Sequence, residues 1–357
     1  MLGARRCRWV LVLPTLVALA VAGCAPKPSS EAGETAEIAQ EAAPQELPER
    51  TIPVFCYHKM SASPTTFYEV STGDFKQQLQ LLADEGFQAV TASQIADYLE
   101  GKADLPEKPV AITFDDGPRS ILTESKPLMD EHGFIGTAFL ISGSVGGKGT
   151  LTWDEVAELE DAGWEIGSHT VSHINPTKVS AEKLAEEFGE SKATIEEHTS
   201  SEVVALAYPY GNYDDTVMAK VREAGYRIAF SIDRGPADTS DDPMRVPRQM
   251  VVKGNSMRTF KRWAHQEKLH LADLDPPIGQ DVAAASPTMT ARLADEDVPV
   301  GEIELVAADK PVKYEVAEDG CTITFRPELA EGANIIRANY WGSPQREVSW
   351  VIIRDAQ

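Results

Sequence analysis

Two short segments of the sequence carry side chains that could bind a metal ion together. The first, Ala111 to Pro118, reads AITFDDGP and is an apolar run that ends in Asp115 and Asp116 before a Gly-Pro turn. Two adjacent carboxylates are costly to bury, and their like charges raise one pKa unless a cation lies beside them. A divalent metal bound by one of them would remove that cost. Taken alone, the same residues also suit an exposed turn in which Asp-Asp-Gly simply fits the backbone.

The second segment, Glu165 to His173, reads EIGSHTVSH and places His169 and His173 four residues apart. On a helical turn, residues i and i+4 share one face, so both imidazoles could reach one ion. A histidine pair alone is equally consistent with a structural role. Combined with one carboxylate, the pair makes a set of two nitrogens and one oxygen. Such a set leaves positions open for water and substrate, as a catalytic metal site requires.

These residues resemble the polysaccharide deacetylase family, carbohydrate esterase family 4. The run TFDDG around Asp115 matches the first family motif, and the run HTVSH that begins at His169 matches the second. The resemblance implies that Asp115 is the general base and that Asp116, His169 and His173 hold a divalent metal, Zn2+ first, with Co2+ or Ni2+ as alternatives. It extends over residues 51–265 and implies hydrolysis of acetyl groups from an N-acetylated polysaccharide.

The third family motif is only half present. The segment AYPYG begins at Ala207, where the family carries an arginine. The Pro-Tyr half implies that Pro209 and Tyr210 line the groove, with the Tyr210 amide helping to bind the oxyanion. Arg248, which follows a strand-like run, is our candidate for the group that orients Asp115. A surface ion pair is the alternative for this arginine.

The general acid is expected at the first strand. The family's Leu-x-His acid has no obvious counterpart, because Leu269 and His270 lack its spacing. His58 instead ends the run PVFCYH, and in barrels of this kind catalytic groups collect at the carboxyl ends of the strands. This beginning resembles the family branch that acts on poly-N-acetylglucosamine, in which the motif order is permuted. We expect His58 to be the acid or a substrate ligand; a structural histidine at the strand end is the alternative.

Strands and helices alternate along residues 52–252. Short apolar runs predict strands, and apolar residues three and four apart predict helices; Thr152 and Glu155 form the pattern of a capping box. The alternation, without a phosphate-binding glycine motif, favours an α/β fold with a distorted (β/α) barrel over a doubly wound sheet. The predicted strands are 53–57, 88–91, 109–114, 136–141, 164–167, 203–207, 226–231 and 245–252, and the predicted helices are 74–86, 93–100, 120–132, 152–162, 180–198 and 214–224.

The pattern changes after about residue 265, so the domain that carries the motifs is expected to span residues 51–270. Residues 271–287 are rich in Asp, Pro, Gly and Ala and are interpreted as a linker. Residues 288–357 hold short alternating runs separated by turn residues, which predict a small all-β sandwich of immunoglobulin type. Because the sandwich carries no titratable cluster, we expect it to act as a spacer or in ligand presentation.

The first 24 residues resemble a bacterial lipoprotein signal. Three arginines precede an apolar run that is shorter than the ~20 residues needed to span a bilayer, and Val-Ala-Gly-Cys follows. We expect cleavage of residues 1–23 and lipidation of Cys24; an ordinary secretory signal or a membrane helix is the alternative. Residues 24–50 have few large apolar side chains and are expected to be a disordered tether. The predicted location is the cell envelope, facing the periplasm or the outside.

Composition restricts the partners. The chain of 357 residues is 42% apolar and has a formal net charge of −23. Nucleic acid and anionic lipid headgroups therefore suit its body badly, whereas a neutral or cationic polymer is accommodated. We expect a monomer that binds an N-acetylated polysaccharide and contacts the membrane through the lipid on Cys24. A carbohydrate-binding lipoprotein on the same scaffold, or a deacetylase of peptidoglycan, chitin oligomers or acetylated xylan, are the alternatives.

Overall fold

The structure, a computed structural model, describes residues 47–354. The expected signal segment 1–23, the lipidation site Cys24 and most of the expected tether lie outside these residues. The last part of that tether contacts the folded domain, because Leu47 packs against its apolar core and the Arg50 guanidinium pairs with Asp104 at 2.9 Å. Among the described residues, none of the helices combines the length and the apolar character that crossing a membrane requires.

The N-terminal domain alternates strands with helices over residues 54–265. Its strands are β1 (Val54–Tyr57), β2 (Lys59–Ser61), β3 (Glu69–Ser71), β4 (Gln88–Ala89), β5 (Pro109–Phe114), β6 (Thr137–Leu140), β7 (Glu165–Ser168), β8 (Ala205–Ala207), β9 (Ile228–Phe230) and β10 (Gln249–Met250). Its helices are α1 (Thr72–Asp84), α2 (Ala92–Leu99), α3 (Lys126–Asp130), α4 (Trp153–Asp161), α5 (Ala181–His198), α6 (Asp215–Glu223) and α7 (Met257–His265).

One curled parallel sheet forms the centre of this domain. Its strand order is β10-β1-β5-β6-β7-β8-β9, and β4 adds to β5. At the two ends of this order, Val246 bridges Phe230 of β9, while β10 pairs in parallel with β1. The segment 246–250, which includes β10, therefore contacts both β9 and β1. The expected α/β class is confirmed, in the form of a curled parallel sheet covered by helices.

Burial on both faces explains the apolar strand sequences. Every residue of β1 and of β5 is buried, as expected for parallel strands that are covered on both sides. Local signals fix the helix ends, and the predicted capping box of α4 is confirmed. The Thr152 hydroxyl accepts from the Glu155 amide at 3.3 Å, and the Glu155 carboxylate accepts from the Thr152 amide at 3.0 Å.

Two helical segments differ from the prediction. The expected helix 120–132 is divided into a π-helical turn, Ile121–Ser125, and the short α3. Pro127 lies in the first turn of α3, where its missing N–H is tolerated, but it cannot continue a longer helix from upstream. Helix α7 was not predicted, although Phe260, Trp263 and Ala264 follow helical spacing and form its buried face.

The C-terminal part is an all-β sandwich of two sheets that share a core. Trp350 and Phe325 meet edge to face inside this core, with ring centroids 6.4 Å apart. One sheet has the order β11-β20-β19-β15-β16 with β13 beside β20, and the other has the order β12-β14-β18-β17. The strands are β11 (Glu267–Lys268), β12 (Leu271–Asp275), β13 (Asp281–Val282), β14 (Met289–Leu293), β15 (Ile303–Ala307), β16 (Lys310–Val312), β17 (Tyr314–Val316), β18 (Thr322–Phe325), β19 (Gly332–Tyr340) and β20 (Arg346–Arg354).

Residues 271–287 do not form the expected linker. Strand β12 pairs antiparallel with β14, and β13 pairs parallel with β20. Strand β12 is an edge strand that is only partly buried, so it tolerates the Asp and Ala residues that suggested a linker. The sandwich therefore begins at β11, well before the predicted boundary at residue 288.

Strand β20 belongs to two cores at once. Successive side chains of a strand point to opposite faces, and in β20 Trp350 and Ile352 pack into the sandwich core. Val351 and Ile353 point the other way and pack into the core of the N-terminal domain. Each of these nearly buried side chains contributes about 1.5–3 kcal/mol of hydrophobic stabilisation. The two parts of the chain are thus joined by an apolar interface.

Candidate active site

The predicted site residues meet at one edge of the parallel sheet. His58 follows β1, Asp115 and Asp116 follow β5, His169 and His173 follow β7, and Pro209 and Tyr210 follow β8. The carboxyl ends of parallel strands lie at the same edge, which is why residues distant in sequence come together here.

One carboxylate and two imidazoles converge at this edge. The Asp116 Oδ1 atom lies 3.6 Å from His169 Nε2 and 3.7 Å from His173 Nε2. Ligand atoms bound to one tetrahedral zinc ion at about 2.1 Å are roughly 3.4 Å apart. The three donor atoms therefore have the spacing that a single divalent ion requires.

A hydrogen bond at Nδ1 of His169 leaves its Nε2 free to bind a metal. Its Nδ1 lies 2.7 Å from the carbonyl oxygen of Ala207. Because that oxygen can only accept, Nδ1 carries the proton and Nε2 keeps its lone pair towards Asp116. Burial lowers the pKa of His169, which favours the neutral ring. A carbonyl that accepts from the far ring nitrogen is typical of metal-binding histidines, so the residues present fit a divalent metal.

The two histidines do not share a helical turn. Residues 169–173 form a non-helical turn in which Thr170 and His173 have positive φ values of 67° and 56°. The Thr170 hydroxyl accepts from the His173 amide at 3.0 Å and closes the turn. The predicted i, i+4 geometry is therefore wrong, although the two imidazole rings are adjacent, with centroids 4.9 Å apart.

A buried glutamate that sequence reasoning missed fixes this turn. The Glu187 carboxylate accepts from the Val171 and Ser172 amides at 3.0 and 2.9 Å and from the Ser172 hydroxyl at 2.7 Å. Glu187 lies on the buried face of α5 beside Leu184 and Phe188. A charged residue within the apolar stripe of a helix was the signal that could have revealed it.

Arg248 holds Asp115 in a two-pronged ion pair. Its Nη1 donates to Asp115 Oδ1 at 2.7 Å and its Nη2 donates to Oδ2 at 2.9 Å. Further bonds from Arg248 reach the Ser231 carbonyl at 2.9 Å and the Thr113 hydroxyl at 3.2 Å. Arg248 is fully buried, so the surface ion pair is excluded. Burial raises the pKa of Asp115, but the charge of Arg248 outweighs it and holds that pKa below its usual range.

His58 lies beside Asp115 at the end of β1. A ring nitrogen of His58, the Cys56 sulfur and a carboxylate oxygen of Asp115 lie within 4.8 Å of one another. The Cys56 thiol donates to Asp115 Oδ2 at 3.4 Å, and burial raises the thiol pKa. A protonated thiol and the charge of Arg248 make this group a poorer cation site than Asp116 with its two histidines.

Backbone strain concentrates at the same edge. Asp116, Thr170, His173 and Tyr210 all have positive φ values between 56° and 69°. Such conformations cost non-glycine residues on the order of 1–3 kcal/mol each and persist where the surrounding fold imposes them. Gly117, with a φ of 62°, completes the turn after Asp116 in a conformation that suits glycine. Strain of this kind is typical of functional sites.

Tyr210 presents its ring to solvent beside the histidines. Pro209 is buried, whereas Tyr210 is 58% exposed. The Tyr210 ring meets the His173 ring edge to face, with centroids 4.6 Å apart. The side chain therefore borders the open side of the Asp116, His169 and His173 set.

Comparison with known proteins agrees with this geometry. Residues 102–229 match the family described as Polysaccharide deacetylase. The chain is 24% identical over 223 residues to the poly-beta-1,6-N-acetyl-D-glucosamine N-deacetylase of Staphylococcus aureus, strain MRSA252. That match covers 58% of this chain and 77% of the relative.

Solved structures share the fold. IcaB from Ammonifex degensii is 28% identical with a TM-score of 0.55, over 62% of this chain and 99% of that one. The deacetylase PplD of Streptococcus pyogenes, solved with acetate, has a TM-score of 0.58 at 22% identity, over 61% of this chain and 99% of that one. At that lower identity the likeness to PplD concerns the fold alone.

Proposed function

We propose that this chain, whose residues 102–229 match the polysaccharide deacetylase family, removes acetyl groups from an N-acetylglucosamine polymer by metal-dependent hydrolysis. One observation carries the proposal. The set of Asp116, His169 and His173 lies directly beside Asp115, whose buried carboxylate is held by Arg248. A metal-binding set next to an ionised, oriented carboxylate is the arrangement that hydrolysis of an amide by water requires.

Asp116, His169 and His173 would hold the metal. We propose Zn2+, with Co2+ or Ni2+ as alternatives, because one carboxylate oxygen and two imidazole nitrogens suit these ions. When bound, the ion supplies Lewis acidity, which lowers the pKa of water and polarises a carbonyl oxygen.

The remaining residues divide the proton transfers between them. Asp115 accepts the proton of the attacking water, and the fork of Arg248 keeps both carboxylate oxygens in place. The Tyr210 amide stabilises the negative charge that develops on the acetyl oxygen. His58 donates a proton to the leaving nitrogen of the sugar. The buried Nδ1 of His58 has no hydrogen-bond partner among the described residues.

The substrate assignment rests on chemistry and on a relative. The Staphylococcus aureus relative is named for β-1,6-linked N-acetylglucosamine, and we extend that substrate to this chain. Each hydrolysis converts a neutral amide into an amine that is protonated at neutral pH. A protein with a net charge of −23 accommodates the resulting cationic polymer.

The rival interpretation, a carbohydrate-binding protein on the same scaffold, depended on the missing arginine of the third motif and on the missing Leu-x-His acid. Arg248 provides a guanidinium at Asp115 from the residue just before β10. The first of the two grounds for this rival is therefore removed.

A substrate panel tests the proposed function. Zinc-loaded protein is given β-1,6-linked N-acetylglucosamine pentamer, chitin pentamer, peptidoglycan and acetylated xylan, and released acetate is measured. We expect acetate from the β-1,6 pentamer and none from the Asp115→Asn variant, which should retain its metal. Absence of acetate from every N-acetylated glycan, with zinc bound at one ion per chain, would exclude the enzyme activity.

The sandwich and the envelope location are further proposals. The strand orders β12-β14-β18-β17 and β20-β19-β15 support an immunoglobulin-type arrangement, whose two sheets have the orders ABED and GFC. We propose that topology here, together with export and a lipid on Cys24 that holds the enzyme at the cell envelope. In cells, Cys24→Ala should move the protein from the membrane fraction to the soluble fraction. Unchanged membrane association would refute the lipid anchor.

A further inference from the structure

Exposed aromatic rings gather around the proposed site. Four aromatic side chains stand out as large and exposed among the described residues: Phe67, Tyr68, Tyr210 and Trp341. Two of them contact histidines of the catalytic edge, and Phe67 packs against one of these two. Tyr210 contacts His173, and the Tyr68 ring lies 5.1 Å from the His58 ring. Soluble proteins seldom leave such rings in water without a binding role when they cluster.

Phe67 and Tyr68 form a paired surface on the loop between β2 and β3. Their rings meet edge to face with centroids 5.2 Å apart, and they are 58% and 50% exposed. This edge-to-face geometry is a favourable arrangement for two aromatic rings. We call these two residues the aromatic platform. Because Tyr68 touches His58, and His58 lies beside Asp115, the platform begins one side chain away from the reacting groups.

The loop that carries the platform is held firmly by Glu69. The Glu69 carboxylate is buried and accepts from the Thr65 amide at 2.5 Å, from the Thr65 hydroxyl at 3.1 Å and from Lys59 Nζ at 2.9 Å. The bond from Lys59 is the main cause that lowers the pKa of Glu69 to about 2, so the carboxylate remains ionised.

Lys253, which follows β10, holds the same loop through two hydrogen bonds. Its amide donates to the Phe67 carbonyl at 3.0 Å, and its Nζ donates to the Pro64 carbonyl at 2.9 Å. The backbone of the loop that carries the two exposed rings is thus held by contacts from β2, β3 and the segment after β10. A binding loop whose backbone is already ordered loses little entropy when its ligand binds.

We propose that the aromatic platform binds a sugar ring of the polymer next to the unit that is deacetylated. The proposal rests on the proposed function and extends it, because it assigns a subsite on the His58 side of the metal set. The platform lies outside residues 102–229, the part of the chain that matches the family. Tyr210 borders the site at His173. A polymer that passes over the metal set would therefore meet one aromatic ring beside His58 and another beside His173.

The chemistry of the platform favours a pyranose over a lipid surface. Each face of a pyranose ring carries axial C–H groups, which pack against the electron-rich face of an aromatic ring, while its hydroxyls remain in water. A net charge of −23 opposes approach to an anionic membrane. The Tyr68 ring also lies beside His58 at the proposed catalytic groups, where a substrate, and not a bilayer, has to be admitted.

The test compares a substrate that is too short to reach the platform with one that is long enough. Acetate release from N-acetylglucosamine monomer and from its β-1,6-linked pentamer is measured for the zinc-loaded wild type and for Phe67→Ala, Tyr68→Ala and Tyr68→Phe. Trp341→Ala serves as the matched control, since Trp341 is as exposed as Tyr68 but lies in the sandwich. Loss of one aromatic contact should raise KM for the pentamer roughly tenfold. For Phe67→Ala, whose ring contacts Tyr68 and not the reacting groups, kcat for the pentamer and kcat/KM for the monomer should stay within about twofold, because binding remote from the chemistry is uniform for ground and transition states.

Each outcome has a defined meaning. Trp341→Ala should behave as the wild type, since it lies away from the groove, and Tyr68→Phe, which keeps the ring, should raise the pentamer KM less than Tyr68→Ala does. An unchanged pentamer KM in both platform alanine variants, or an equal loss of kcat/KM for monomer and pentamer in Phe67→Ala, would overturn the platform. The same holds if Phe67→Ala instead loses binding to phosphatidylcholine vesicles with its pentamer KM unchanged. If the wild type releases no acetate from any oligomer, the proposed function fails first, and isothermal titration of the Asp115→Asn variant with pentamer still tests whether the platform binds the glycan.

Discussion

Arg248→Met removes the guanidinium that faces Asp115, and it should destabilise the fold strongly. Arg248 is fully buried, and Asp115 is only 3% exposed. Methionine is close in length to the arginine stem and carries no charge. The variant therefore leaves the Asp115 carboxylate in an apolar interior without the two hydrogen bonds that it accepts from Arg248.

The size of the effect follows from burial. Breaking a buried ion pair by removing one partner costs about 3–5 kcal/mol, mostly because the remaining charge is left uncompensated. Proteins of this kind have a free energy of unfolding of about 5–15 kcal/mol, so the variant should stay folded at 25 °C with a much reduced margin. Removing both charges in the double variant Asp115→Asn/Arg248→Met should cost less than the sum of the two single changes, by about 2 kcal/mol or more.

Urea denaturation of the metal-free protein measures these values without any contribution from bound metal. The matched control is Arg222→Met. Arg222 also pairs with an aspartate, since its Nη2 donates to both carboxylate oxygens of Asp242 at 2.9 and 2.8 Å, but at the surface. An exposed pair is worth about 0–1 kcal/mol, so this variant should differ little from the wild type.

Two results would refute the reasoning. A cost below about 1 kcal/mol for Arg248→Met would mean that Asp115 is not a buried charge in need of a partner. Additive costs in the double variant would mean that the two side chains do not act on each other. Arg248→Lys separates charge from geometry: it keeps the cation but not the fork, and we expect kcat to fall with zinc content unchanged.

Three further changes have outcomes that the structure defines. His169→Ala should abolish stoichiometric zinc binding, measured by metal analysis after dialysis, because the set loses its most buried donor. Glu187→Gln should weaken zinc affinity about 10–100-fold by loosening the turn that carries both histidines, whereas the exposed neighbour change Glu186→Gln should not. The bond to Asp238 is the main cause that raises the pKa of His270 to about 10. The protonated ring should therefore stabilise the fold fully below pH ~6.5 and lose this contribution as the pH rises towards 10. In thermal melts from pH 6 to 10, the melting temperature of His270→Gln should fall less than that of the wild type.

Clear outcomes would contradict these three expectations. Full zinc occupancy in His169→Ala would remove His169 from the metal set, and His198→Ala, at the end of α5, is its control. Equal zinc affinity in the two glutamate variants would mean that the Glu187 bonds do not govern the turn. If His270→Gln and the wild type lose stability in parallel with rising pH, the imidazolium between Asp238 and Asp295 does not support the junction of the two parts.

The metal set could be inferred from sequence because its signals are local. Asp116 and His169 each follow an apolar strand, and in a parallel sheet such positions reach the same edge. The partner of Asp115 is a different matter. Arg248 lies 133 residues away. Its position depends on the segment 246–250, which contacts β9 through Val246 and pairs with β1 through β10. Sequence reasoning could suggest this arginine, but a surface ion pair fitted the same residues until burial was known.

The errors also have physical causes. The sequence of β12 was interpreted as a linker because its side chains are only partly buried and carry no clear apolar pattern. What makes it a strand is its backbone pairing with β14. His169 and His173 were expected on one helical face, but tertiary contacts from Glu187 fix a turn with positive φ instead. Both outcomes depend on partners that are distant in sequence, which periodicity along the chain does not reveal.

Because β20 is buried on both faces, the N-terminal domain and the sandwich are not independent units. Because Val351 and Ile353 fill the core of the N-terminal domain while Trp350 and Ile352 fill that of the sandwich, neither unit has a complete interior without this one strand. The two should melt in a single calorimetric transition. Trimming the chain at residue 287 would remove part of the catalytic domain's own interior. Exchange of the sandwich between relatives during evolution would therefore require compensating apolar substitutions on the catalytic domain.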